Sequence, residues 1–238
     1  MRNKGKIGEG NVKPTKRAKP AQAIEDANAK VSIAVAKLRR LVEAVNRPGE
    51  ENSEFDRAMK VLKTLSRKEG IPLAIVGGMA AINYGYERFT QDIDVVVARQ
   101  HLDVLIRVAP KYGVKVIWQD PHGWHKLQYE GVRIEIVPEG GKPSKDAPTK
   151  IPGPSRLGVL EGMAYANLEG WVETKLGSGR RQDQADVVQV LKKTALAERE
   201  RIGKYIAGVH AIYLRLFEEL IIAAEEEMQQ EEERGGPR

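Results

Sequence analysis

The chain has 238 residues, 41% of them apolar, with 39 Lys+Arg against 33 Asp+Glu for a net charge of +6. That is enough for one ordinary domain with helical extensions. With no cysteine there is no disulfide framework, thiolate nucleophile or Cys-ligated zinc, and the four histidines, at 101, 122, 125 and 210, lack zinc-binding spacing. No apolar run nears the roughly 20 residues that cross a bilayer, and the basic first 20 residues carry no signal-peptide core, so a soluble, cytoplasmic protein with no membrane partner is expected.

The charge is unevenly placed. Residues 1–20 hold seven Lys/Arg and one Glu, whereas residues 218–238 hold eight Glu and two Arg. The first 22 residues read as a basic arm too poor in apolar side chains to fold alone, either a solvated tail or a strand of cations laid along a phosphate backbone. Residues 23–70 read as two helices. The first carries Val31, Val35, Leu38, Val42 and Val45 at spacings of three and four and is stopped by Pro48-Gly49; the second is capped by Ser53, presents Phe55, Ala58, Met59, Leu62 and Leu65, and stops at Gly70.

A core over 71–138 follows. Pro72 to Val76 predicts a short buried strand, Gly77-Gly78 a turn, and Met79 to Tyr84 a short helix ended by Gly85. Strands are expected at Asp92–Ala98, Val114–Trp118, Trp124–Tyr129 and Val132–Val137, with an amphipathic helix from Gln100 to Tyr112. Residues 139–157 form a Gly/Pro/Lys-rich loop and candidate boundary. Residues 158–238 read as a helical region: Leu168 to Leu176, Gln182 to Thr194, and one long helix from Ala195 to about Gln230, whose stripe runs through Ile202, Ile206, Val209, Ile212, Tyr213, Leu216 and Leu220. That stripe either closes on the N-terminal helices or forms a homodimer. The expected class is α+β, a small mixed sheet flanked by helices.

The chemistry concentrates at Asp92-Ile93-Asp94. Alternation along a strand sends both carboxylates to one face, roughly 7 Å apart, and the repulsion of such a pair is relieved by a divalent cation with oxygen ligands, of which Mg²⁺ or Mn²⁺ is the natural candidate. Glu135, between the apolar Ile134 and Ile136, adds a third carboxylate if its strand lies beside that of Asp92; the alternative is a solvent-facing residue paired with Arg133 or Lys126. Paired glycines that open a helix allow close approach of phosphates. Together these are the components of metal-assisted phosphoryl transfer.

Val76-Gly77-Gly78, thirteen residues, then Asp92-Ile93-Asp94-Val95 resembles the signature of the nucleotidyltransferase (DNA polymerase β-like) superfamily, with Glu135 at the place of its third acid, usually an Asp. The string Gly77-Gly78-Met79-Ala80 … Gly85 … Arg88-Phe89-Thr90-Gln91-Asp92-Ile93-Asp94 is similar to the minimal members that include AbiEii-type abortive-infection toxins. Glu173-Thr174-Lys175-Leu176 … Arg180-Arg181-Gln182-Asp183-Gln184-Ala185-Asp186 resembles their later Lys … Arg-x-Asp-x-x-Asp segment. The resemblance spans about residues 65–191. It implies a nucleotidyltransferase-type sheet and transfer of a nucleoside monophosphate from an NTP to a hydroxyl of RNA, for which tRNA suits the basic surplus, or of protein or a small molecule. Asp92, Asp94 and Glu135 would be the catalytic and metal-holding acids, and Gly77, Gly78, Arg88, Thr90, Lys175 and Asp183 the nucleotide-binding residues. It also implies a toxin–antitoxin or phage-defence setting with an antitoxin as partner. Beside these stand plainer readings: Lys175 simply paired with Asp183, Thr90 buttressing the turn through its hydroxyl, Trp118, Trp124 and Tyr129 as core or sheet-face residues, and the whole chain as an inactive nucleotidyltransferase-like module that binds nucleic acid or a protein partner.

Overall fold

The computed structural model describes residues 53–235, so the basic arm and the first expected helix lie outside the described residues. Helix α1 (Glu54–Glu69) begins where Ser53 Oγ accepts from Asp56 N and ends at Gly70, which takes the left-handed conformation. Then come β1 (Leu73–Ile75), α2 (Gly77–Asn83), β2 (Asp92–Val97), α3 (Leu102–Val108), β3 (Lys115–Trp118), β4 (His125–Tyr129), β5 (Val132–Pro138), β6 (Met163–Tyr165), α4 (Leu168–Ser178), α5 (Arg181–Lys192), α6 (Leu196–Val209) and α7 (Ala211–Gly235). The architecture is α+β: a six-stranded mixed sheet in the order β3-β4-β5-β2-β1-β6, with β1–β6 and β2–β5 parallel and the other pairs antiparallel.

Each face of the sheet has its own core. One face buries Leu73, Ile93, Val95, Leu127, Ile134 and Ile136 against α1 and α3. The other packs Ala74, Val76 and Val96 against Trp171, Val187, Ile206 and Phe217 of the C-terminal helices. Helix α4 is enclosed on nearly every side and buries Glu173 and Lys175 as well as its apolar residues.

Three expectations are corrected. The helix read from Gln100 to Tyr112 is α3 flanked by 3₁₀ turns at Arg99–His101 and Ala109–Tyr112, because Pro110 has no N–H to continue the ladder. The single long helix from Ala195 is a hairpin of α6 and α7. His210 is extended (φ −166, ψ 138), its carbonyl accepts from Tyr213 N (3.0 Å) and Leu214 N (3.1 Å), and its Nδ1 accepts from Ile212 N at 3.2 Å. A straight helix of that length would run about 50 Å and strand most of its stripe in water; folding back brings Ile202 and Ile206 together with Tyr213, Phe217 and Leu220 in one core, leaving Ile212 exposed. That core is shared with the sheet and α4–α5, so α1 is not its partner.

The third correction is β6, where no strand is expected. Three residues between Gly162 and Ala166 have no readable alternation; the free edge of β1 makes them a strand, with Leu73 paired to Met163 and Ile75 to Tyr165. The sheet therefore recruits chain from well beyond residue 139. Among the described residues no helix is long and apolar enough to cross a membrane.

Candidate active site

Register brings the acids together. On β2 the burial alternates so that Ile93 is buried while Asp92 and Asp94 share the opposite face. The neighbouring parallel strand places Arg133 beside Asp92 and Glu135 beside Asp94. The three carboxylates thus lie on one face, at the rim of the core beneath the C-terminal helices.

The side-chain carboxyl of Asp94 makes no hydrogen bond or ion pair with any described residue. Burial, reinforced by the negative charges of Asp92 and Glu135, pushes its carboxyl up from 3.8 to about 7, against the pull of Lys175 and Arg180. Burial and then Glu135 likewise raise Asp92, while Arg133, whose Nη2 stands 3.9 Å from Asp92 Oδ2, pulls it back. Glu135 leans the other way: its Oε1 is 3.5 Å from Lys126 Nζ, the residue opposite it on β4. Accordingly, among the described residues no group of three or more His, Asp or Glu side chains stands close enough to hold a metal ion. The expected convergence is met in register but not in side-chain closure. In kind, an all-oxygen donor set of two mutually repelling Asp carboxyls, one of them without a partner, fits a hard divalent cation that Asp92 and Asp94 would hold.

The glycine pair also has a reason within the fold. Gly77 sits at φ +62, and a Cβ there would lie 1.7 Å from Asp94 Oδ2; a Cβ on Gly78 would lie 2.7 Å from Thr90 Oγ1. Both glycines leave room for the strand that carries the acids. The turn is pinned by Val76 N donating to Asp94 O (2.9 Å) and Trp171 Nε1 donating to Gly77 O (3.1 Å). Buried Thr90 donates to Asp92 O at 3.1 Å, the buttress its position suggests. Gly77→Ala is expected to destabilise the protein by about 2–5 kcal/mol, combining ~1–2 kcal/mol of left-handed strain with ~1–3 kcal/mol of overpacking. Urea unfolding measures it, and a loss below 1 kcal/mol would mean that Asp94 yields freely.

Behind the acids lies a buried ionic network. Lys175 Nζ donates to Asp183 Oδ1 (2.5 Å) and Asp186 Oδ2 (2.6 Å) and stands 5.6 Å from the centroid of Trp171, one turn earlier on α4. Asp183 also accepts from Ser178 Oγ and Arg180 Nε, both at 2.6 Å, and Asp186 accepts from Arg88 Nη1 and from Gln182 Nε2 (3.2 Å). Burial alone would raise Asp183, but Lys175, Ser178 and Arg180 bring it below the ordinary carboxylate value. Lys175 and Asp183, read from sequence as nucleotide-binding, are partners of one another and nearly inaccessible. Arg88 is tied to Asp186, with its guanidinium carbon 3.6 Å from where a Gly78 Cβ would be. Sequence reasoning passed over Arg180, the largely exposed cation whose charge acts on both Asp92 and Asp94. It also missed Trp171 as the clamp on the glycine turn, for which its four-residue spacing from Lys175 was the available signal.

No protein-family model and no curated protein matches the chain. Among solved structures it is similar to the antibiotic-resistance factor ANT(2'')-Ia, 14% identical over 75% of this chain and 94% of that one with a TM-score of 0.38. It is similar also to TM1012 of Thermotoga maritima, described as a presumed nucleotidyltransferase (18% identity, 59% and 94% coverage, TM-score 0.42). A third is the Thermotoga maritima CCA-adding enzyme complexed with tRNA (16% identity, 80% of this chain and 53% of that one, TM-score 0.35).

Proposed function

We propose that the protein is a divalent-metal-dependent nucleotidyltransferase that moves a nucleoside monophosphate from an NTP to an acceptor hydroxyl. The observation that carries this reading is the register of β2 on β5, which sets Asp92, Asp94 and Glu135 on one face beside a glycine turn that exists to admit Asp94. The signature of paired glycines followed by Asp-x-Asp supports it.

In this reading Asp92 and Asp94 would hold the cation, which supplies Lewis acidity toward the phosphates and lowers the pKa of the acceptor hydroxyl. Glu135, released from Lys126, takes the proton of that hydroxyl. The acceptor oxygen bonds to the α-phosphorus as the bond to the bridging oxygen of pyrophosphate breaks, and pyrophosphate leaves with the electron pair. Arg180, exposed beside the acids, neutralises the departing phosphates. Arg88, held by Asp186, keeps a second cation behind Gly78. Lys175 acts at one remove, since its ammonium locks α4 to α5 and so positions Arg180.

The test is transfer of label from α-phosphate-labelled NTPs to total RNA, lysate protein or small hydroxyl compounds, with Mg²⁺ or Mn²⁺. Label is expected in one acceptor class and is lost on chelation. If none of the four NTPs yields label with either metal, the enzyme reading fails. A second reading, an inactive nucleotidyltransferase-like binding module, is favoured by one observation, the engagement of Glu135 by Lys126; it predicts nucleic-acid or partner binding without transfer. A toxin role adds a requirement of its own, growth arrest on expression that is relieved by a neutralising partner.

A further inference from the structure

The face of the sheet that carries the acids continues past them. Across the strands, Asp94 is in register with Glu135, Glu135 with Lys126, and Lys126 with Trp118 on the edge strand. One step along, Asp92 is in register with Arg133, Arg133 with Gln128, and Gln128 with Lys115. Residues directly opposite one another share a face, and the register shift between Val116 and Trp118 brings Trp118 as well as Lys115 opposite the same face of β4, so two rows run from the acids to β3, about 14 Å across three strand spacings. The core beneath the C-terminal helices takes in Ala74 of β1, Val96 of β2 and, at its margin, Val137 of β5. Lys115, Lys126 and Arg133 are exposed, and Trp118 retains 48% of its surface. The opposite face of the same strands is sealed by Leu127, Ile134 and Ile136.

We propose that this bare face seats the acceptor, and that the acceptor is the end of a single-stranded polynucleotide. Lys115, with Lys126 and Arg133, whose long ion pairs to Glu135 and Asp92 leave both side chains about half exposed, suits a phosphate backbone, and a half-exposed indole at the end of the row gives an unpaired base a surface on which to stack. An acidic peptide would satisfy the cations but has no use for the Trp118 ring, and a duplex hides its bases. A strand lying on the rows would present its terminal hydroxyl to Asp94 and Glu135. The proposal rests on the transfer reading for the role of the hydroxyl, but the binding face is tested without NTP or metal.

The experiment uses the full chain and fluorescein-labelled 12-nucleotide single-stranded RNA, the same sequence as DNA, and the RNA as a duplex, followed by anisotropy across a salt series. Trp118→Ala is expected to weaken single-strand binding on the order of tenfold, and Lys115→Ala to reduce the salt slope by about 0.7. Neither residue touches the acids, and circular dichroism checks that both variants fold. Residues 1–20 are the same in all variants, so the differences between variants report on this face. Preference for RNA or for DNA identifies the source of the strand, and either supports the proposal. It is overturned if both variants bind as the parent does, if the duplex binds as tightly as the single strand, or if a poly-glutamate peptide competes as well as unlabelled RNA does. Label transfer to a protein or small molecule without such binding would sink the acceptor proposal alone, and binding on this face without transfer from any NTP would sink only the enzyme reading.

Discussion

Replacing Asp94 by Asn is expected to lower nucleotide transfer by about three orders of magnitude or more while making the metal-free protein more stable. On the proposed function, Asp94 would hold the cation, and its removal forfeits a stabilisation of developing charge worth several kcal/mol, at about 1.4 kcal/mol per factor of ten. The gain follows from the raised carboxyl. The folded protein holds the Asp94 proton up to about pH 7, whereas the unfolded chain releases it near 3.8. Between those values the native state binds more protons, so stability falls as pH rises from about 4 to 7 and stays at the lower level above. Asn resembles the protonated form and is exempt. The melting temperatures of parent and Asp94→Asn should coincide near pH 4, separate through pH 5–7 with the variant higher, and stay separated at pH 8. Equal melting temperatures at pH 8 would show that Asp94 is not held buried beside like charges.

Lys175→Met should have the largest effect on folding, about 3–5 kcal/mol of destabilisation, because it leaves buried carboxylates without their shared cation. The side chains of Lys175, Asp183 and Asp186 are 5%, 3% and 0% exposed, so solvent screens little of the loss. Arg180 and Ser178 keep part of Asp183 satisfied, and Arg88 keeps part of Asp186. The pH dependence has the opposite sign to that of Asp94. Asp183 is held below its ordinary value, so its contribution is present above about pH 4 and is lost on acidification through the folded value. Asp94 contributes to parent and variant alike, so the stability difference between the parent and Lys175→Met should shrink on acidification as Asp183 is protonated. Urea unfolding at pH 7 and pH 3.5 measures both. A variant within 1 kcal/mol of the parent at pH 7 would mean that the network contributes only at its exposed rim.

The two effects describe one design. Asp94 is kept buried beside two like charges with no partner for its own carboxyl, which weakens the folded protein above neutral pH. The carboxylates on α5 are saturated with cations, which gives rigid support to the glycine turn through Trp171 and Arg88.

Much of this was legible in the amino-acid order because it is local. The cap at Ser53, the stop at Gly70, the alternation that puts Asp92 and Asp94 on one side of a strand, and the strands around Glu135 all follow from spacing within a few residues. What the order alone determined is which chemistry is available: an Asp-x-Asp pair behind two glycines, and no thiol. Tertiary structure decided the rest. It closed the apolar stripe after Ala195 into a hairpin, because two short helices bury it against α4 where one long helix would expose it. It turned Met163–Tyr165 into a strand, because β1 had an open edge. It made Lys175 and Asp183 each other's partners, the plainer of the two readings their spacing allows, because α4 is buried and a lone ammonium there has no water to solvate it. And it set Glu135 between Asp94 and Lys126, a choice fixed by strand order, which no spacing along the chain encodes.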